Sequence, residues 1–268
     1  MPGPPILIDF EGVSLAFGAT RVLDNVSLQV RRGETKVLLG ETGTGKSVLL
    51  KLALGLLRPD AGRVEVLSES VSRMPERDLF ELRRRIGIVF QESALFDSLS
   101  VRENVAYRLE EEGRLDEAHI EARVRACLAA VELEAAIDKM PAELSGGMQR
   151  RVSIARALST EPEIMLYDSP TGGLDPITAT NIMEQIIKLR DLSHVTALLV
   201  SHRLQDGFLM ATHVWDAAAN ALRPDAAAAA ATSFAVLHDR RVVFDGSATA
   251  LRSSPDAYLR HFLADVAA

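Results

Sequence analysis

Gly40-Glu41-Thr42-Gly43-Thr44-Gly45-Lys46-Ser47 fits the pattern G-x-x-x-x-G-K-[ST], and each residue type in it has a use against phosphate. Glycines at 40, 43 and 45 let the chain turn tightly enough to aim several backbone N–H groups inward, where the positive end of a following helix reinforces them. Lys46 supplies a point charge for the terminal phosphates, and the Ser47 hydroxyl a ligand for Mg²⁺. Lys36 to Leu39 reads as a short buried strand and Val48 to Leu54 as a buried helix. Strand, loop and helix thus come in the order the motif requires, a context that a chance Gly/Thr turn would lack.

Other residues have the type and position to act at the same place. Ile164-Met165-Leu166-Tyr167-Asp168 reads as a buried strand ending in a carboxylate, which serves either as a structural acid or as the acid that helps hold Mg²⁺. Ile86 to Phe90 is a second such strand, ending at the amide of Gln91, and Thr196 to Val200 a third, ending at Ser201-His202. Ligands gather at the carboxyl ends of strands in open α/β sheets. Leu144-Ser145-Gly146-Gly147-Met148-Gln149 stands just before a helical pattern over 150–158, which makes Ser145 an N-cap and the glycine backbone either a capping turn or a second anion-receptive site. Gly172 to Pro176 makes a sharp turn before a helix over 178–189. Phe17, ahead of Gly18, reads equally as a ring that stacks on a purine and as an ordinary hairpin or core aromatic.

The elements that position these residues alternate between strand and helix. Ile6 to Phe10 and Val26 to Val30 alternate apolar and polar residues as half-buried strands do. Arg58 to Gly62 is a turn, 63–67 a returning strand, and 78–85 a charged helix whose Arg83-Arg84-Arg85 reads as a solvated face. From 92 to about 160 the texture is helical, with apolar spacing over 101–109 and 117–131. This predicts a helical subdomain inserted into an α/β domain that spans 6–268. An Ala-rich stretch over about 216–233 interrupts the rhythm and reads as an exposed loop or short helix. Strands over 234–237 and 241–244 follow, and a last helical stretch over 256–266, within a C-terminal tail over about 255–268, closes the chain.

Composition narrows the function classes. With 268 residues the chain can build ample core. A formal charge of -7 offers no global basic field, so nucleic acid is not an expected partner. One cysteine, Cys127, excludes an internal disulfide and reads as a small core residue. The lead-in Met1-Pro2-Gly3-Pro4-Pro5 has neither a basic n-region nor an apolar h-region, and a cytoplasmic location is expected. The most apolar window, 48–57, is too short to span a bilayer and contains Lys51. Membrane spans, if needed, come from a partner.

In this order and spacing, Gly40 to Ser47, Gln91, Leu144 to Gln149, Ile164 to Asp168, Asp175 and His202 resemble the nucleotide-binding subunits of ABC transporters, over nearly the whole chain. The resemblance implies a P-loop NTPase core of ABC ATPase type, with an inserted helical subdomain and an N-terminal antiparallel β-subdomain. It also implies ATP and Mg²⁺ as ligands, and a head-to-tail dimer with a second copy of the chain. Each ATP then lies between one copy's Gly40, Glu41, Thr42, Gly43, Thr44, Gly45, Lys46, Ser47 and Val48 and the other's Ser145, Gly146 and Gly147. Phe17 is implied to stack on adenine, and Ser47, Gln91 and Asp168 to surround the metal. Asp175 is implied to communicate between the sites, and His202 to sense the γ-phosphate. Finer details resemble the ATPase subunits of Mla-type lipid transporters, which work with Mce-domain proteins. They are 93–96, 103–107, Met148 with Arg150-Arg151, Tyr167, 175–178 and the tail. That resemblance implies phospholipid movement between bacterial membranes. The chain would be peripheral on the inner membrane through permease subunits, its tail docking on a neighbouring subunit. An ATPase for a small polar solute is the alternative. A non-transport protein acting on ribosomes or DNA fits less well, since the chain has one cassette, no sustained heptads and an acidic balance.

One position departs from that pattern. After the Asp168 acid the family nearly always carries Glu, and this chain has Ser169. A serine hydroxyl can orient water but does not take its proton at neutral pH. Two expectations follow: a slow ATPase in which His202, with Ser169, positions the water, or an ATP-gated clamp with little turnover.

Overall fold

The computed structural model describes residues 3–264. The lead-in at Met1-Pro2 and the last residues of the tail, 265–268, lie outside the described residues. The strands and helices follow in the order β1 (Ile6–Phe17), β2 (Thr20–Arg31), β3 (Thr35–Leu39), α1 (Lys46–Ala53), β4 (Ala61–Val66), β5 (Glu69–Ser70), α2 (Glu76–Arg84) and β6 (Ile86–Val89). Then come α3 (Val101–Glu112), α4 (Glu117–Ala130), α5 (Gly146–Leu158), β7 (Ile164–Asp168), α6 (Pro176–Ser193), β8 (Thr196–Ser201) and α7 (Leu204–Thr212). The chain closes with β9 (His213–Asp216), β10 (Ala221–Pro224), β11 (Thr232–His238), β12 (Arg241–Ser247), α8 (Ala248–Arg252) and α9 (Ala257–Ala264).

A six-stranded sheet in the order β12-β11-β3-β8-β7-β6 forms the spine. Its strands from β11 to β6 are parallel, and β12 is an antiparallel edge. Both faces of the central strands β3, β7 and β8 are covered, which is why these read as near-continuous apolar runs. Alternate residues serve opposite cores. Val37, Leu39, Met165, Tyr167, Ala197 and Leu199 face a core made with α3 to α9. Leu38, Ile164, Leu166, Leu198 and Val200 face a second core made with α1, α2 and the sheet β2-β1-β4-β5. The register pairs Leu39 with Ser201 and Asp168 with Val200, so the carboxyl ends of β3, β7 and β8 meet at one edge.

Several expectations need correction. β1 and β2 are each 12 residues long, about twice the expected runs, because register shifts near Gly12 break the alternation that the sequence shows. Arg83-Arg84-Arg85 is not a solvated face. Arg83 donates to the Leu54 carbonyl at 2.8 Å and pairs with Glu76, while Arg84 pairs with Glu81 and Glu112, and Arg85 with Glu163. The Ala-rich stretch holds the short helix expected only in part, as a 3₁₀ segment. It contains the β9–β10 hairpin, whose turn is capped by Asp216 accepting from the N–H groups of Ala218 and Ala219, and a 3₁₀ turn at Ala226–Ala230. The hairpin is tied to α6, since Asp191 accepts from the Trp215 N–H at 2.7 Å and Lys188 lies 4.8 Å from the Trp215 ring centre. Neither α7 nor α8 stands out in the sequence. α9 packs on its own chain through Leu259 and Phe262.

Between β6 and β7, three helices fill the space. α3 opens with a capping box, Ser100 with Glu103, and the fully buried Asn104 ties down the preceding loop through the carbonyls of Phe96, Leu99 and Ser100. Cys127 is buried in α4, and burial pushes its thiol up to about 11, the behaviour of an inert core residue.

Candidate functional site

The loop between β3 and α1 closes so tightly that two glycines are obligatory. A Cβ on Gly40 would lie 2.4 Å from the Leu237 carbonyl oxygen, and Gly45, at the start of α1, sits at φ +103 with Val22 3.0 Å from where its Cβ would be. No acid occupies the first turn of α1, so the positive end of that helix is unopposed. Lys46 is buried, its ammonium donating to the carbonyls of Gly40 at 2.8 Å and Glu41 at 2.6 Å. Burial pulls its pKa down to about 8, against the opposing charges of Asp168 and Glu41. Thr44 donates to the Glu41 carbonyl at 2.9 Å. The Ser47 hydroxyl donates to Asp168 at 2.8 Å, which puts two hard oxygen ligands side by side at the sheet edge.

A cleft of about 340 Å³ opens over this loop. Phe17, Thr42, Gly43, Gly45, Lys46, Ser47, Val48, Gln91, Ser169 and His202 all line it, although they come from 186 positions' span of sequence. Phe17 ends β1 half-exposed at 50%, which excludes the core reading of that ring. Ser169 adopts φ +47 and is fixed by its N–H donating to Val200 at 2.8 Å.

Two buried polar residues that sequence reasoning missed as site supports hold the cleft in shape. Arg150, in α5, has no carboxylate partner among the described residues; its guanidinium donates to the carbonyls of Phe90 at 3.2 Å, Gln91, Ser169 at 3.3 Å and Gly172 at 3.5 Å. One side chain thus fastens the backbone of both Gln91 and Ser169 to the helix that follows Ser145. Burial draws its pKa below the ordinary arginine value. Asp206, in α7, accepts from Thr171 at 2.5 Å and from Ser201 at 3.0 Å, with Arg203 at 3.6 Å. It ties the segment after Ser169 to the residue before His202, and burial raises its pKa. The only hint in the sequence is two charged residues at positions where helices face the sheet.

Ser145, Gly146, Gly147 and Asp175 do not line this cleft. Ser145 caps α5, accepting from the Met148 N–H at 3.3 Å. Asp175 caps α6, accepting from the N–H groups of Ile177 and Thr178 at 3.1 and 3.0 Å. The Thr178 side chain, more than any other partner, holds its carboxyl below the usual range. The two helix ends adjoin: a Cβ on Gly147 would lie 2.5 Å from Thr178 Cγ2, while at Gly146 the nearest atom, on Leu174, is 3.6 Å away. One chain therefore presents two helix starts, one in the cleft and one, outside it, with exposed backbone at Ser145 and Gly146.

Comparison with known proteins agrees with this geometry. The family model described as ABC transporter matches residues 23–172. The chain is 36% identical over 261 residues, 97% of its length and 90% of the relative's, to the intermembrane phospholipid transport system ATP-binding protein MlaF of Escherichia coli strain K12. It is 32% identical over 257 residues, 96% of its length and 90% of the relative's, to the protein of the same name from Haemophilus influenzae. Among solved structures, the dimeric post-hydrolysis state of the ATP-binding cassette MJ0796 bound to ADP and Pi superposes with a TM-score of 0.74 at 29% identity, covering 90% of this chain and 98% of that one. The mixed α/β cassette with its antiparallel subdomain is thus the fold expected from the sequence.

Proposed function

Because the chain belongs to the ABC transporter family, whose ATP-binding subunits hydrolyse ATP, we propose that it is the ATPase subunit of a complex that moves phospholipid between bacterial membranes. The observation that carries this reading is the similarity to a phospholipid-transport ATPase over 97% of the chain, joined to a cleft that Phe17, Lys46, Ser47, Gln91 and His202 line together.

The donor set fits a magnesium nucleotide. Ser47 and Asp168 offer only oxygen, and no group of three or more His, Cys, Asp or Glu suited to a metal occurs among the described residues. Mg²⁺ held this way takes the rest of its shell from phosphates and water, and supplies charge neutralisation when bound. The rest is the work of the chain. Phe17 offers a ring face at the mouth of the cleft, and Lys46 exchanges the Gly40 and Glu41 carbonyls for phosphate oxygens. Gln91, Ser169 and His202 orient water at the inner wall. Ser145, Gly146 and Gly147 of a second copy close the open side, since on their own chain they lie outside the cleft. Asp175, beside Gly147, carries the state of one site to the other. Ser169 removes the usual proton acceptor, which favours slow turnover; a clamp that binds ATP and hardly cuts it is the second reading, favoured by that residue alone.

No described helix is long and apolar enough to cross a membrane, so permease subunits supply the spans and place the chain on the inner membrane, with an Mce-domain protein as the lipid carrier. A groove of about 570 Å³ between α2, β6 and α3 suits such a partner. Leu56, Phe80, Phe96 and Tyr107 line it with 40–52% of their surfaces exposed, a cluster that soluble surfaces rarely leave uncovered. Phe90 lines this groove and Gln91 the cleft, so a partner seated here adjoins the residue that meets the nucleotide.

Purifying the full chain together with its membrane partners, and identifying bound lipid by mass spectrometry, tests the reading. Phospholipid is expected in the complex, and Phe80→Glu is expected to release the chain from it while leaving nucleotide affinity within about twofold, as a change remote from the cleft should. A complex without phospholipid, whose hydrolysis is stimulated by a small solute instead, would overturn the lipid reading.

A further inference from the structure

Ser169 and His202 belong to different segments, one after β7 and one after β8, and both line the cleft. Two polar groups that act on one water must keep a fixed separation, because a misplacement of about 1 Å can cost about 100-fold in rate. The backbone joins the two segments once, through the Ser169 N–H donating to the Val200 carbonyl at 2.8 Å. The β7–β8 pairing ends at Asp168 and Val200, so the sheet does not tie the segments together beyond that point.

A side chain makes the second tie. The hydroxyls of Thr171 and Ser201 both donate to Oδ2 of Asp206, at 2.5 and 3.0 Å, and all three residues are buried. Thr171 lies within a turn that the Gly172 N–H closes on the Ser169 carbonyl at 2.9 Å, so a bond to Thr171 holds Ser169 as well. Ser201 precedes His202, and its hydroxyl accepts from the Arg203 N–H at 2.9 Å, which grips the chain on either side of the histidine. Asp206 itself does not line the cleft. A buried carboxylate is costly unless its oxygens are hydrogen-bonded, and an apolar residue would fill the same space at less cost. What the carboxylate adds is direction, since one oxygen with two lone pairs takes both hydroxyls at once. Its place in the first turn of α7 suits a negative group, and Arg203 at 3.6 Å adds a counter-charge.

We propose that Asp206 is a positioning residue for hydrolysis: through Thr171 and Ser201 it fixes the segment that carries Ser169 against the segment that carries His202, so that both side chains meet one water at the γ-phosphate. The proposal rests on the ATP-hydrolysing reading of the cleft given above. The grip on the phosphates does not depend on Asp206, because Lys46 is aimed by the carbonyls of its own loop. Loss of the tie should therefore slow the chemistry and spare the binding.

Asp206→Ala removes both bonds, and in the assembled complex it is expected to lower kcat for phosphate release about 10- to 100-fold. The Kd for a fluorescent ATP analogue is expected to stay within about twofold of the parent. Thr171→Val keeps the shape of its side chain and leaves Asp206 bonded to Ser201, so it serves should the alanine variant not fold; a loss of about three- to tenfold is expected. Asp206→Asn can still accept from both hydroxyls and is expected to hold kcat within about threefold of the parent. In a His202→Ala background, where the group to be positioned is gone, Asp206→Ala and Thr171→Val are each expected to lower kcat by less than about twofold. Equal losses in both backgrounds, an Asp206→Asn complex as slow as Asp206→Ala, or a Kd that rises in step with the lost turnover would overturn the proposal while leaving the hydrolytic reading in place. A parent complex that releases no phosphate would overturn both.

Discussion

Lys46→Ala is expected to weaken ATP binding by about 100-fold or more. A hydrogen bond to a charged group is worth about 1.5–3 kcal/mol, and Lys46 is placed to make more than one to phosphate oxygens. The residue is already desolvated, so part of the cost of bringing its charge into the loop is met by the fold; the two carbonyls at 2.8 and 2.6 Å keep it charged and aimed. The same burial makes a second, sharper signature. With its pKa drawn down to about 8, Lys46 loses its proton above that pH when the loop is empty, whereas bound phosphate needs the charged form. Affinity should be flat below about pH 8 and fall by up to tenfold per unit above it, as one proton is taken up with each nucleotide. Titration calorimetry across pH 7 to 9.5 shows this as a slope in the parent, absent in Lys46→Ala. An affinity within threefold of the parent in that variant would remove Lys46 from the site.

Ser169→Glu is expected to raise the turnover of the assembled complex on the order of 100-fold, since a positioned general base contributes about 10²- to 10⁴-fold. Ser169 lines the cleft with Gln91 and His202, and its left-handed backbone, at φ +47, is held by Val200 and Arg150 whatever the side chain. A longer carboxylate therefore starts from the right place. Ser169→Gln has the same reach without the base and should leave turnover near that of the parent. His202→Ala should lower it further, because in this chain the histidine is the remaining polar ring at the cleft wall. Phosphate release from the three variants and the parent decides the matter. If Ser169→Glu is no faster than the parent, the serine is not what limits hydrolysis; if His202→Ala is as fast, the histidine has no part in it.

The site was legible in the sequence to the extent that its chemistry lies in contiguous motifs. The phosphate loop is announced by glycine spacing between a strand and a helix, and Asp168, Gln91 and His202 by their places at the ends of apolar runs. A parallel sheet sends such ends to one edge, so three separate motifs predict one cleft. The register of β3, β7 and β8 brings the carboxyl ends of those strands to one edge. Arg150 and Asp206 were not legible, because their hydrogen-bond partners lie between 5 and 60 positions away and a single charged residue in a helix looks like any solvated one. The β9–β10 hairpin was hidden by composition. Alanine favours helix, yet here Asp191 and Lys188 of α6 fix a strand pair through Trp215. The bulged β1 and β2 lost their alternation to register shifts, which a period-two reading takes for strand ends.

The central claim is that each nucleotide is held by the cleft of one chain and by Ser145 to Gly147 of another. Gly146→Asp tests the second half cleanly. The position is exposed with room for a side chain, and an acid at a helix N-terminus favours the fold while repelling phosphate. Sedimentation with ATP should show the parent as dimer, and Lys46→Ala and Gly146→Asp each alone as monomer. An equimolar mixture of the two variants should form dimers containing one of each, because that pair rebuilds one complete site from an intact cleft and an intact Ser145–Gly147 segment. If the mixture remains monomeric, or if Gly146→Asp dimerises on its own as the parent does, the nucleotide is not shared between two chains.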